Sequence, residues 1–392
     1  MRFSSPTSIS WSAYAIALGS LFTILSQFLP GMSVFFALVW TGYLVYEGVK
    51  HRDKIVFGCV PSVFLGLYAL FGFYCFLCFF VTAEIGYVAG FFQLLSKSLL
   101  MYLVGFIAFS SLGSSKDTLS FILRLYCICS LIYSAWAMKN YFPGLTAWMS
   151  NMEYLFASKN SLGQICGVGF LVSLSLIFNE EDKFLCTAQL IIGFFLMITA
   201  LLFQCRTAVL AVVLGTLFLM VAEKKRAAFF IVLALGVICL FLSPSLRSLL
   251  AHAFLLDKIT PGGDFSSGRF GLWSDSLVAL NGHEIFGIGS YYVDNMYIDV
   301  LVNVGIVGAF VVLAFWGVRL CLNFYRSFGS RFEASPQKWL INLVAALSLF
   351  YLVESLMEGY PPFGPGACSF MFWMLCGYLD AFVAFSNKTG AI

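Results

Sequence analysis

About twelve apolar runs follow one another along this chain, close to the roughly 17–25 residues an α-helix needs to cross a bilayer. Backbone polar groups in lipid are satisfied only within helices or closed barrels. The runs are continuous rather than alternating, so helices are expected. They fall at approximately 9–29, 32–49, 55–81, 90–112, 118–137, 161–178, 184–203, 207–222, 227–243, 296–322, 339–357 and 368–385. With 61% hydrophobic and only 10% charged residues, a soluble globular domain is excluded. The expected fold is an all-α integral membrane protein, with residues 1–392 as a single polytopic membrane domain.

Lys and Arg concentrate in cytoplasmic loops of membrane proteins. Alternating the spans from a cytoplasmic N-terminus places Lys50, Arg52, Lys54, Lys116, Lys183, Lys224, Lys225, Arg226, Arg326, Arg331, Lys338 and Lys388 on that side. Both termini then face the cytoplasm. The opposite side keeps a few scattered cations: Lys139, Lys159, Arg206, Arg247, Lys258 and Arg269. The first apolar run lacks a small-residue cleavage site after it and reads as an uncleaved span. The net charge of +3 is accounted for by the basic inner loops and points to no nucleic-acid partner. Most of the twelve Cys lie inside expected spans, and Cys75-x-x-Cys78 has no second pair, so they read as small buried hydrophobes.

Two segments on the outer side are long. One runs from about Lys139 to Asn160, the other from about Ser243 to Asn295. The 244–295 subregion has Leu246, Leu249, Leu250, Phe254 and Leu255, then Leu272, Trp273, Leu277 and Leu280, at near-helical spacing. Two short amphipathic helices are expected there, split at Pro261-Gly262-Gly263-Asp264, with Ser266 or Ser267 capping the second.

This polar island carries most of the residues with chemistry. Arg206 sits at the outer junction of two spans joined by almost no loop, where an Arg is expensive and suggests a functional partner. The alternative is an interfacial Arg snorkelling to headgroup phosphates. Arg269 and Trp273 share one helix face by their spacing. They fit a phosphate-binding fork beside an indole that covers a sugar, or else a cation–π pair or an interfacial anchor. Asp294-Asn295 opens the tenth span, with Tyr297 close behind. Asp294 reads either as a helix cap or as a general base at the membrane boundary. Lys159-Asn160 opens the sixth span and reads locally as a capped helix start. Glu354 and Glu358 lie one turn apart ahead of Pro361-Pro362, and read as functional by their intramembrane setting or as structural partners of Arg. His51, His252 and His283 do not cluster, so no metal site can be built from them. Neither a P-loop, a GxSxG elbow nor a dinucleotide fingerprint occurs, and no cofactor is expected.

Together, Gly268-Arg269-x-x-x-Trp273, Gly287-x-Gly289, Asp294-Asn295-x-Tyr297 and Gly305-Ile306-Val307-Gly308 resemble the C-terminal signature of the O-antigen polymerase and ligase superfamily. Lys159-Asn160-x-x-Gly163 and Arg206-Thr207 are similar to its upstream motifs, and the topology matches over the whole chain. The resemblance implies a glycosyltransferase at the periplasmic face of the bacterial inner membrane, acting on undecaprenyl-pyrophosphate-linked oligosaccharide. Arg206 and Arg269 match the arginines that hold the pyrophosphate. Many ligases carry a His-Asn pair where this chain has Asp294-Asn295, a form familiar among polymerases, so the polymerase branch is favoured.

The expected catalytic residues are therefore Asp294 as base, with Arg269 and Arg206 stabilising the departing pyrophosphate. Asn295, Tyr297, Trp273, Lys159, Asn160 and Glu354 are expected to bind substrate, without a metal. The bilayer and a chain-length regulator are the other expected partners. A ligase transferring glycan to lipid A–core is the alternative within this chemistry. A polysaccharide or lipid transporter is the alternative outside it, and would place charges or broken helices near the bilayer midplane.

Overall fold

The computed structural model describes residues 10–27, 33–56, 58–82, 89–150, 156, 158–225, 243–254, 256, 268–289, 291–364 and 366–389. Among them the chain is helical, with no strand. The helices are α1 (Trp11–Leu25), α2 (Ser33–Lys50), α3 (Cys59–Thr82), α4 (Ala89–Leu112), α5 (Lys116–Tyr141), α6 (Leu145–Ser150) and α7 (Lys159–Asn179). After them come α8 (Lys183–Leu202), α9 (Arg206–Ala222), α10 (Pro244–Ala253), α11 (Arg269–Ala279), α12 (Met296–Phe328), α13 (Lys338–Glu354) and α14 (Gly366–Thr389). Seven are long and apolar enough to cross a membrane: α3, α4, α5, α7, α8, α12 and α14. Shorter apolar helices, α1 and α9, occupy two more of the expected spans, and α2 and α13 stand where 32–49 and 339–357 were expected. Residues 227–242 of the expected span at 227–243 lie outside the described residues, so the structure supports a multi-pass helical protein without reaching a count of twelve.

The two short amphipathic helices are present as α10 and α11. Ser243 caps α10, accepting from the Leu246 amide at 3.2 Å, with Pro244 in the first turn where its missing N–H costs nothing. Capping of α11 differs from expectation. Its N-cap is Gly268, in the left-handed region with no side-chain cap. Ser266, Ser267 and the 261–264 break lie outside the described residues.

Helix α13 is apolar around its whole circumference and is correspondingly buried, packed against α7, α9, α12 and α14. Small residues set these approaches, as they do where lipid offers no hydrophobic drive to association. A methyl on Gly105 of α4 would strike the Met374 carbonyl of α14, and one on Gly377 of α14 would strike the Tyr102 carbonyl of α4. On α7, Gly163 lies against Cys205 and Gly167 against Phe350, so the starts of α7 and α9 converge beside α13.

Helix α12 is broken at Gly305, whose φ of 65° and ψ of −177° belong to glycine alone. The break receives the 284–289 segment. Ile288 N donates to Val302 O at 2.7 Å, Gly289 N to Asn303 O at 3.0 Å and Ile306 N to Glu284 O at 2.8 Å. The Tyr74 hydroxyl of α3 donates to Val304 O. The carbonyls freed by the break are therefore paired within the protein. The Gly287-x-Gly289 and Gly305 motif positions serve this joint, since a Cβ on Gly287 would meet Asn303 O at 2.5 Å.

Beyond the break, α12 carries Arg319 and Arg326, both bonded to Asp380 of α14. Arg319 Nη2 stands 2.6 Å from Asp380 Oδ2, and the Tyr102 hydroxyl donates to the same oxygen at 2.6 Å. The Arg319 guanidinium lies 4.3 Å over the Phe64 ring. Arg326, expected in the inner loop, is thus a buried residue of α12: the helix runs further than its apolar run suggests because Asp380 neutralises the charge.

Candidate active site

At the end of the bundle where α7, α9, α12 and α14 begin, the helix ends enclose a cavity of about 410 Å³. Three cations wall it: Lys159 and Arg206, the first residues of α7 and α9, and Arg269, the first of α11. Two carboxylates, Glu354 and Glu358, complete its polar wall. Leu210, Phe254, Phe270, Val353 and Leu356 line the rest. Leu210 and Leu356 are about half exposed, so the cavity joins a charged end to an accessible apolar flank.

The tight junction between α8 and α9 delivers Arg206. Gln204 adopts a φ of 54°, and Cys205 N bonds back to Ala200 O at 2.9 Å, so the chain reverses within a few residues. Arg206 and Arg269 come close enough for their charges to interact. The sequence separated these two arginines widely, and the fold brings them to one wall.

Arg269 is bonded on three sides. Its Nη1 donates to Met357 O at 2.6 Å and its Nη2 to Glu358 Oε1 at 3.1 Å, while its Nε faces Asp294 Oδ2 at 3.5 Å. The Trp273 indole donates to Asp294 O at 3.3 Å, so Arg269 and Trp273 share a face as expected and meet at Asp294. Burial and the nearby Asp294 carboxylate push the Tyr292 phenol's pKa up.

Asp294 does not cap α12. Asn295 holds the N-cap, its Oδ1 accepting from Tyr297 N at 3.0 Å and Ile298 N at 3.1 Å. Its Nδ2 donates to Leu356 O at 3.0 Å. The Asn295 amide is thereby engaged in the scaffold. The Tyr297 hydroxyl accepts from Ser355 Oγ at 3.1 Å, which turns it toward α13. Neither side chain lines the cavity, and neither do Asp294 and Trp273.

Lys159 and Asn160 line the cavity. Asn160 is not a cap. It reaches across to Glu358, Nδ2 donating to Oε2 at 2.9 Å. Glu354, one turn deeper and 1% exposed, accepts from Gln164 Nε2 at 3.1 Å, while its Oε1 is buried with no hydrogen-bond partner. Glu358 stands past the end of α13. Burial pushes its pKa up to about 7, against the pull of Arg269 and with Asp294 adding to the rise.

The sequence reading placed Glu354 at the site and left Glu358 beside it unassigned. The available signal was their one-turn spacing ahead of the Pro361-Pro362 turn. Gln164 and Tyr292 gave no signal, since their relevance lies in contacts across the fold. Among the described residues, no three His, Cys, Asp or Glu side chains group as metal ligands.

Compared with known proteins, the chain matches no family model and no curated protein. The likeness to the O-antigen polymerase and ligase superfamily therefore stands on the quoted residues alone.

Proposed function

We propose that this chain is a polymerase of O-antigen or a related surface polysaccharide. It would join repeat units carried on undecaprenyl pyrophosphate at the periplasmic face of the inner membrane. In this reading the chain has about twelve spans with both termini in the cytoplasm, and the cavity opens to the periplasm. The observation that carries the proposal is the shared wall of Lys159, Arg206 and Arg269 in a cavity otherwise largely apolar. Three cations stand against Glu354, Glu358 and, behind Arg269, Asp294, so protonation of a carboxylate leaves positive charge for an anionic group. A guanidinium fork pairs bidentately with phosphate oxygens. The apolar flank at Leu210 and Leu356 suits the start of a polyprenyl chain entering from lipid.

The chemistry needs no nucleotide, because the donor's anomeric carbon is already bonded to a good leaving group. The acceptor hydroxyl of an incoming lipid-linked unit attacks that carbon. Undecaprenyl pyrophosphate departs with its developing charge held by Arg206 and Arg269. A carboxylate beside Arg269 receives the hydroxyl proton.

A transporter is the second reading, favoured by the break in α12 and the buried Arg319–Asp380 pair. The details weigh against it. The carbonyls at the break are bonded by Ile288, Gly289 and Tyr74, and both arginines are spent on Asp380. These features tie helices together.

Deleting the gene and complementing it tests the proposal in cells. A polymerase null strain carries single-repeat glycans on lipid A–core, restored to long chains by the wild-type protein. Chains of normal length left unattached to lipid A–core would instead identify a ligase.

A further inference from the structure

We propose that Glu358, rather than Asp294, is the catalytic carboxylate of this site, taking the proton from the acceptor hydroxyl; this rests on the polymerase reading. Three observations carry it. Glu358 and Glu354 line the cavity, whereas Asp294 meets Arg269 from the other flank and lies off the cavity wall. Glu358 is aimed from both sides, since Arg269 holds Oε1 and Asn160 holds Oε2. Asp294 is engaged in scaffolding: its carboxylate faces Arg269 Nε and its backbone carbonyl takes the Trp273 indole.

Glu354 shares the wall but is the poorer candidate. It lies within α13, one turn deeper, with Gln164 on Oε2. Glu358 follows the helix end, beside the guanidinium that would face the leaving group. A base works best when its pKa lies near the working pH, and burial has raised that of Glu358 to about 7. The charged groups around it are Arg269 from α11, Asp294 from the turn before α12, Lys159 from α7, Arg206 from α9 and Glu354, the last residue of α13. Tyr292 and Cys205 lie within its electrostatic reach.

The step balances without a co-reactant. The acceptor oxygen forms a bond to the donor's anomeric carbon as the bond from that carbon to the phosphate oxygen breaks. The electron pair of the broken bond leaves on pyrophosphate. The hydroxyl proton passes to Glu358, which releases it to water. Asp294 acts as a positioning residue through Arg269.

The test uses the full-length chain in proteoliposomes, with a purified polyprenyl-pyrophosphate-linked repeat unit as probe and initial rates followed from about pH 5.5 to 8.5. The wild-type rate should rise with pH through about 7, as the Glu358 carboxylate ionises. In Glu358→Gln, kcat should fall by roughly 10²–10⁴-fold with KM little changed, and the acid limb should vanish. Glu358→Asp should retain a weaker activity with its acid limb displaced. Asp294→Asn should lose activity through Arg269 yet keep the acid limb. A Glu358→Gln protein with wild-type kcat, or with a reduced kcat and an intact acid limb, overturns the assignment. Should that variant not fold, an undisplaced limb in Glu358→Asp does the same. A folded wild-type protein that joins no units overturns the polymerase reading and this assignment with it, an outcome distinct from an active Glu358→Gln.

Discussion

Asn160 and Glu358, 198 residues apart in the chain, are joined by a 2.9 Å hydrogen bond from the amide nitrogen to Oε2. The bond ties the first turn of α7 to the segment that follows α13. It also sets the direction of the Glu358 carboxylate toward the cavity that both residues line.

That bond predicts a pH effect with a definite sign. Asn160 donates to the ionised carboxylate and so lowers the Glu358 pKa, opposing the rise that burial causes. In Asn160→Ala the acid limb of the rate profile should move to higher pH, by about one unit for the loss of one hydrogen bond to a charged group. The check is a pH–rate comparison with the wild-type protein. A shift to lower pH would contradict the role given to the bond.

Arg206→Ala and Arg269→Ala should each leave folded protein in the membrane and lower turnover by roughly 10²–10³-fold, the usual cost of losing one charge-stabilising donor. In cells, both should yield single-repeat products. Arg269→Lys should rescue little, because an ammonium cannot reproduce the fork that spans Met357 O and Glu358. Normal chain-length ladders in both alanine variants would remove the arginines from the mechanism.

The buried network around Asp380 predicts a stability effect with no direct part in the chemistry. Asp380 is bonded to Arg319 and Arg326 and accepts from Tyr102, and Asp380→Ala strands two guanidiniums in the bundle. Breaking such a pair costs about 3–5 kcal/mol. The purified variant should unfold at a markedly lower temperature or fail to accumulate. A variant as stable as wild type would mean the arginines find other partners.

Gly305→Ala tests the joint in α12. The backbone there is one that only glycine adopts readily, and strain of this kind costs about 1–3 kcal/mol. The added methyl also meets the Ile285 carbonyl, so the 284–289 segment must shift. Lower thermal stability, with faster protease cutting within 284–289, is the expected result. Unchanged values for both would show that the break is not fixed by this contact.

The legible part of this fold follows from short-range physics. Bilayer-length apolar runs identify the seven long helices, and the spacing of Leu246 to Phe254 and of Leu272 to Leu280 foretold α10 and α11. Arg206, Arg269, Lys159, Asn160 and Glu354 were expected at a site, and the structure gathers all five at one cavity. The division of labour in Asp294-Asn295 was not legible, because both residue types cap helices well and only geometry shows that Asn295 does so. The partner of Asn160 lay beyond any local pattern. Gly305 stood out in the sequence only as part of a family motif, and its structural role shows in the 284–289 segment bonded at the break. Arg326 read as a loop cation because its neutralising Asp380 is on another helix.

The most direct measurement of the central claim is polymerisation by the purified protein alone, reconstituted in vesicles with purified polyprenyl-pyrophosphate-linked repeat units. The account predicts a ladder of longer lipid-linked glycans, one polyprenyl pyrophosphate released for each linkage formed, and no ladder from Arg269→Ala. Repeat units that cross the bilayer without being joined would contradict it and establish a transporter instead.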